Sequence, residues 1–75
     1  MDQPSFDYSK LKGRITEKCG TQKKFAKLVK MSPATLISKL SGKTFFNQND
    51  ILRSVSVLDI EPAAISTYFF TKRVQ

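Results

Sequence analysis

Residues 21–42 constrain the fold more than any other stretch, because two short apolar-periodic segments stand there with only a tight turn between them. Thr21 is placed to cap the first, about Gln22–Val29, and Ser32 to cap the second. Pro33 follows in the second helix's first turn, where a missing N–H costs nothing. Phe25, Leu28 and Val29 make the inner stripe of the first segment. Leu36, Ile37 and Leu40 are the apolar residues of the second, which Gly42 stops. Ala26 supplies the small side chain needed where the two helices approach, and Met31 can plug the turn. This is the sequence form of a helix-turn-helix, which sets one helix end into a DNA major groove.

The flanking segments predict three further helices. Asp7 is placed to cap a helix from Tyr8 to about Cys19, with Leu11, Ile15 and Cys19 spaced four apart. Gly13 weakens its middle and Gly20 ends it. Asn47 caps a helix over about Gln48–Leu58, with Ile51, Leu52, Val55 and Leu58 as its buried side. Glu61-Pro62 opens a short fifth helix from Pro62 to about Tyr68. Residues 1–6 are expected as a loose arm, and 69–75 as a tail that extends the fifth helix or forms a brief strand. The pattern predicts a single all-α domain of five short helices over residues 1–75.

Such a chain is near the lower size limit for a core without metals or disulfides. Its single cysteine, Cys19, allows no internal disulfide, and without histidine the usual zinc sites are out of reach. Cys19 reads as a small core residue, and Asp7 and Asp50 as helix-start charges rather than catalytic acids. No membrane span or signal-peptide pattern is visible, so a cytoplasmic protein is expected. No nucleophile–base pair and no phosphate-cradling glycine loop is present. The expectation is a protein that is not an enzyme and uses no cofactor or small-molecule substrate.

The charge is concentrated. The chain carries a net +7, and the six lysines between Thr21 and Lys43 have no acid among them. Positive charge gathered on this pattern suits a phosphate backbone, where each neutralised phosphate releases counterions. The outward positions on the third helix are Pro33, Ala34, Thr35, Ser38 and Lys39, small or polar groups that allow close approach to base edges. Lys23, Lys24 and Lys27 serve equally as a solvated face or as phosphate contacts, whereas Lys39 and Lys43 flank the recognition helix.

These residues also carry a resemblance. Thr21-Gln22 opens the second helix, Ala26 stands four residues after that Gln, Met31-Ser32 leads into the third helix, and Ser41-Gly42-Lys43 follows it. The segment resembles the Cro and lambda-repressor-like family. The opening from Asp7 to Ile15 and the ending from Tyr68 are similar to small Cro-like proteins of temperate phages of Gram-positive bacteria. The resemblance implies a lambda-repressor-like fold in which Gln22 binds a phosphate and braces the recognition helix. Base-reading positions fall on Pro33, Ala34 and Ser38, and backbone contacts on Lys43 and Thr44. Two departures stand out. Lys30 occupies a turn position that is usually Gly and often has φ > 0, at a cost of about 1 kcal/mol. The bidentate base readers Arg, Asn and Gln are absent from the base-reading positions, each forgoing about 1–3 kcal/mol of discrimination.

Aromatic residues raise a second question. Tyr68, Phe69 and Phe70 point in different directions on a helix, and Phe45-Phe46 lies between the third and fourth helices. Some of these rings close the core, and at least one is left for a partner, either a second copy or another regulator. The leading expectation is therefore a Cro-like regulator that binds double-stranded operator DNA with its third helix in the major groove, and the alternative is a modulator of the same fold that binds a phage repressor.

Overall fold

The computed structural model describes residues 6–72, and the chain forms five α-helices there. They are α1 (Ser9–Cys19), α2 (Gln22–Leu28), α3 (Pro33–Leu40), α4 (Gln48–Leu58) and α5 (Ile65–Phe69). A 3₁₀ turn, Pro62–Ala64, leads into α5. No described helix is long and apolar enough to cross a membrane.

Local chemistry fixes the helix ends. Asp7 Oδ1 accepts from the Ser9 N–H at 2.8 Å, so α1 begins one residue later than expected, with Tyr8 in the cap position. Gly20, at φ 84°, turns the chain out of α1 and donates to Thr16 O at 3.0 Å. Thr21 Oγ1 accepts from Lys24 N, and Ser32 Oγ accepts from Thr35 N, both at 3.1 Å. Asn47 and Asp50 form a reciprocal capping box on α4. At the far end of α4, Arg14 of α1 donates to the Leu58 and Asp59 carbonyls, each at 3.0 Å. A cation placed there also opposes the negative end of the helix dipole.

The core gathers one stripe from each element: Leu11 and Ile15, Phe25, Ala26 and Val29, Leu36 and Leu40, Leu58 and Ile60, and Phe69, with Tyr8 at one side. Each fully buried Leu, Ile or Phe contributes roughly 1.5–3 kcal/mol of burial free energy. Cys19 and Met31 pack against this cluster as expected. Leu28, Ile37 and Leu52 do not, being 58%, 58% and 59% exposed. Ser54 instead takes a buried place on α4, its hydroxyl donating back to Asp50 O at 2.8 Å. A stripe of four expected apolar positions on α4 is wider than its neighbours can cover.

The arm departs from expectation, and the chain beyond Tyr68 continues as helix to Phe69 and bridges at Lys72. Residues 1–5 and 73–75 lie outside the described residues, but Phe6 is no loose arm. It forms an antiparallel bridge with Lys72 and packs on the core, while Asp7 N donates to Thr71 O at 2.7 Å. Phe69, assigned to the tail, is the last residue of α5 and only 2% exposed.

Two substitutions test this backbone. Gly13 lies within α1, and an added Cβ meets nothing within 4 Å, so Gly13→Ala is expected to stabilise by about 0.5–1 kcal/mol. Lys30 has φ 61°, and Lys30→Gly is expected to relieve up to about 1 kcal/mol of left-handed strain. Thermal unfolding reads both, since about 1 kcal/mol moves the midpoint of so small a domain by about 4–8 °C.

Candidate functional site

The α2–turn–α3 unit is built tightly. Met31 N reaches Ala26 O at 2.8 Å, which closes the turn over the fully buried Ala26. After α3 the chain folds back on its last turn. Ser38 O accepts from Lys43 N at 3.0 Å and from the Ser41 hydroxyl at 3.0 Å, with Gly42 at φ 90°. Lys43 and Thr44 are thereby held beside the end of α3, both exposed.

Pro33, Ala34 and Thr35 lie exposed on the first turn of α3, and Ser38 is half-buried. The Thr35 hydroxyl accepts from Ser32 Oγ at 2.8 Å and is drawn into the cap. Gln22 is half-buried at the start of α2, beside exposed Lys23 and Lys24. Between α2 and α3 a cleft of about 380 Å³ is lined by Gln22, Lys23, Pro33, Leu36 and Ile37. Ile37 was expected among the inward apolar residues of α3; it stands instead on the outward face. Leu36 and Leu40 are four apart and take the inner line, which leaves the neighbouring position turned aside.

Lys39 departs most from expectation. Its ammonium donates to Asp50 Oδ2, and its side chain is only 12% exposed. The same oxygen accepts from Asn47 N at 3.0 Å, while Asn47 Oδ1 accepts from Asp50 N at 2.8 Å. Asp50 thus starts α4 as expected, but it also occupies the lysine that was expected to reach a phosphate. Burial alone would push the Asp50 carboxyl up. The Lys39 hydrogen bond, the Asn47 N–H and the charges of Lys39 and Arg53 outweigh it and hold the carboxyl below its ordinary value. Lys23, Lys24, Lys27, Lys30 and Lys43 remain as the exposed cations of this face.

The expected aromatic interface divides. Phe46 and Phe69 are internal: Phe46 meets Tyr8 and Phe69 edge-on, each at 5.4 Å between centroids. Tyr68 lies elsewhere, half-buried beside Arg14 and Ile60. Phe45 and Phe70 are 46% and 50% exposed, and Phe6 lies between them at 6.5 and 5.9 Å. Phe6 belongs to this patch although it was assigned to the arm; an aromatic two residues before a helix start was the available signal. Among the described residues no group of three or more His, Cys, Asp or Glu is placed to hold a metal.

The described residues define a small all-helical protein with a lysine-rich α2–α3 segment and an exposed aromatic patch. The chain belongs to the family described as a protein of unknown function, DUF739, whose model matches residues 4–72. It is similar to the modulator of repression (MOR) of the temperate bacteriophage TP901-1 from Lactococcus lactis, known from a solution structure. The two share 45% identity over 95% of this chain and 96% of that one, with a TM-score of 0.79. Comparison with curated proteins gives no match.

The Asp50 node carries a pH prediction. With its folded-state pKa lowered, Asp50 contributes stability that is fully present above its unfolded value of about 3.8 and is lost as pH falls through the lower folded value. Asp50→Ala is expected to cost about 2–4 kcal/mol at neutral pH, since it strands Lys39 and undoes the cap. The variant should also lose less stability than the parent on acidification below pH 4. Urea unfolding at pH 7 and pH 3 measures both.

Proposed function

We propose that the chain acts in the repression switch of a temperate phage, as a modulator that binds a partner repressor protein in the host cytoplasm. Its 45% identity to the TP901-1 modulator of repression, along nearly the whole of both chains, is the observation that carries this reading. The α3 face supports it. A base-reading helix needs donors and acceptors at its outward positions. This one presents Pro33, Ala34 and Ile37, and its last-turn lysine is bound to Asp50. The role is regulatory, with no reaction to catalyse.

Operator binding by a Cro-like helix-turn-helix is the second reading. It is favoured by the five exposed lysines of residues 21–43 and by Gln22 at the position that resembles a phosphate-binding glutamine. On that reading Gln22, Lys23, Pro33, Ala34, Thr35, Ser38, Lys43 and Thr44 meet DNA.

Titrations against the phage's own repressor, its operator DNA and scrambled DNA, at about 50 and about 200 mM salt, separate the two. The expected result is a saturable repressor complex that persists at the higher salt. DNA binding should be weak, equal for both sequences and lower by orders of magnitude at the higher salt. A preference of about 10³ or more for the operator sequence, without a repressor complex, would establish the second reading instead.

A further inference from the structure

We propose that the cleft between α2 and α3 is the partner-docking surface, and that its occupant is an acidic amphipathic helix presented by the repressor. The proposal rests on the reading of the chain as a repressor-binding modulator and adds the surface and the chemistry of what it holds.

Three observations converge on this cleft. Its apolar lining comes from Pro33, Leu36 and Ile37, with Ile37 58% exposed although it lies beside the buried Leu36. Removing such a side chain from water on binding is favourable in proportion to the area covered, whereas a base edge opposite it loses a hydrogen-bond partner. A groove of this kind suits a helix that lays an apolar stripe into it.

The second observation is charge. Lys23 lines the cleft, and Lys24, Lys27 and Lys43 are exposed on the same two helices and their flank. No acid occurs between Thr21 and Lys43, and Asp50, packed against α3, is already paired with Lys39. A partner helix with carboxylates beside its apolar stripe is thus met by Lys23 at the cleft itself and by further cations on the same two helices and their flank. Such complementarity speeds encounter and selects against basic partners.

The third is what α3 withholds from DNA. Pro33 has no N–H to offer a phosphate, Thr35 is held by Ser32, and Lys39 is buried in its ion pair. Lys23 beside an apolar floor fits a protein helix better than a duplex groove.

Calorimetric titration of the purified repressor with the full chain tests the proposal, using Ile37→Ser, the double reversal Lys23→Glu/Lys27→Glu, and Phe45→Ser on the aromatic patch. All four positions are exposed, and thermal unfolding of each variant confirms that the fold is intact. Ile37→Ser and the double reversal are each expected to weaken the complex at least about tenfold. The loss from the double reversal should shrink as salt rises, and Phe45→Ser should bind as the parent does. Parent-like binding by Ile37→Ser, with loss in Phe45→Ser, overturns the proposed surface but leaves the repressor-binding function standing. Parent-like binding by the double reversal overturns the acidic chemistry. Failure of the parent chain to bind the repressor at all overturns the functional reading and this proposal together. Sequence-specific duplex binding that Ile37→Ser removes assigns the cleft to DNA and overturns it as well.

Discussion

The Lys39–Asp50 pair is the interaction around which the middle of the molecule is organised. One carboxylate oxygen serves the Lys39 ammonium of α3 and the Asn47 N–H that opens α4. The loop between these helices is therefore fixed at its end by a charge, beside the packed ring of Phe46. Desolvating both groups is costly, and the arrangement is sustained because the carboxylate is bonded from both sides. Its other effect is subtractive. It removes the one cation of α3 from the surface, so the chemistry of that helix's outward face is set by Pro33, Ala34, Thr35 and Ile37.

Much of the architecture was legible because it rests on local chemistry. Thr21, Ser32 and Asn47 accept from backbone N–H groups three residues on, and Gly20 and Gly42 take the positive φ that ends α1 and follows α3. Lys30 was legible as a residue in a glycine's place, and its φ of 61° agrees. Features that depend on distant partners were not legible. Lys39 meets an acid eleven positions away on another helix, and Arg14 meets carbonyls 44 and 45 positions away. No periodicity encodes either contact. Apolar positions were over-assigned to the interior because a helix of seven or eight residues offers little sequence from which to judge the width of its buried stripe. Leu28 and Ile37 are the result.

The two surfaces divide the candidate site in a way the sequence pattern did not separate. The α2–α3 cleft and the exposed phenylalanines share no lining residue, and the rings expected at an interface split between core and surface. Phe46 and Phe69 hold Tyr8 and the α5 end together, which leaves Phe45, Phe70 and Phe6 as the aromatic surface. A ring's neighbours in the chain say nothing about this division. It follows from which helix ends converge.

The clasp between residues 6–7 and 71–72 has a consequence for synthesis. It joins positions more than 60 residues apart through the Phe6–Lys72 bridge and the Asp7 N to Thr71 O bond. A nascent chain that has left the ribosome only as far as α4 already carries the residues that form α2, α3 and the Lys39–Asp50 pair. It lacks Lys72, the bridge partner of Phe6, and Phe70 has not yet appeared. The lysine-bearing segment is thus translated first, while the aromatic surface is complete only after Thr71 is free. Contacts of such long sequence separation form late because chain closure is costly before they exist. A ribosome-stalled fragment that ends at α4 therefore carries all the lysines of residues 21–43 but only part of the aromatic set, Phe6 and Phe45 without Phe70.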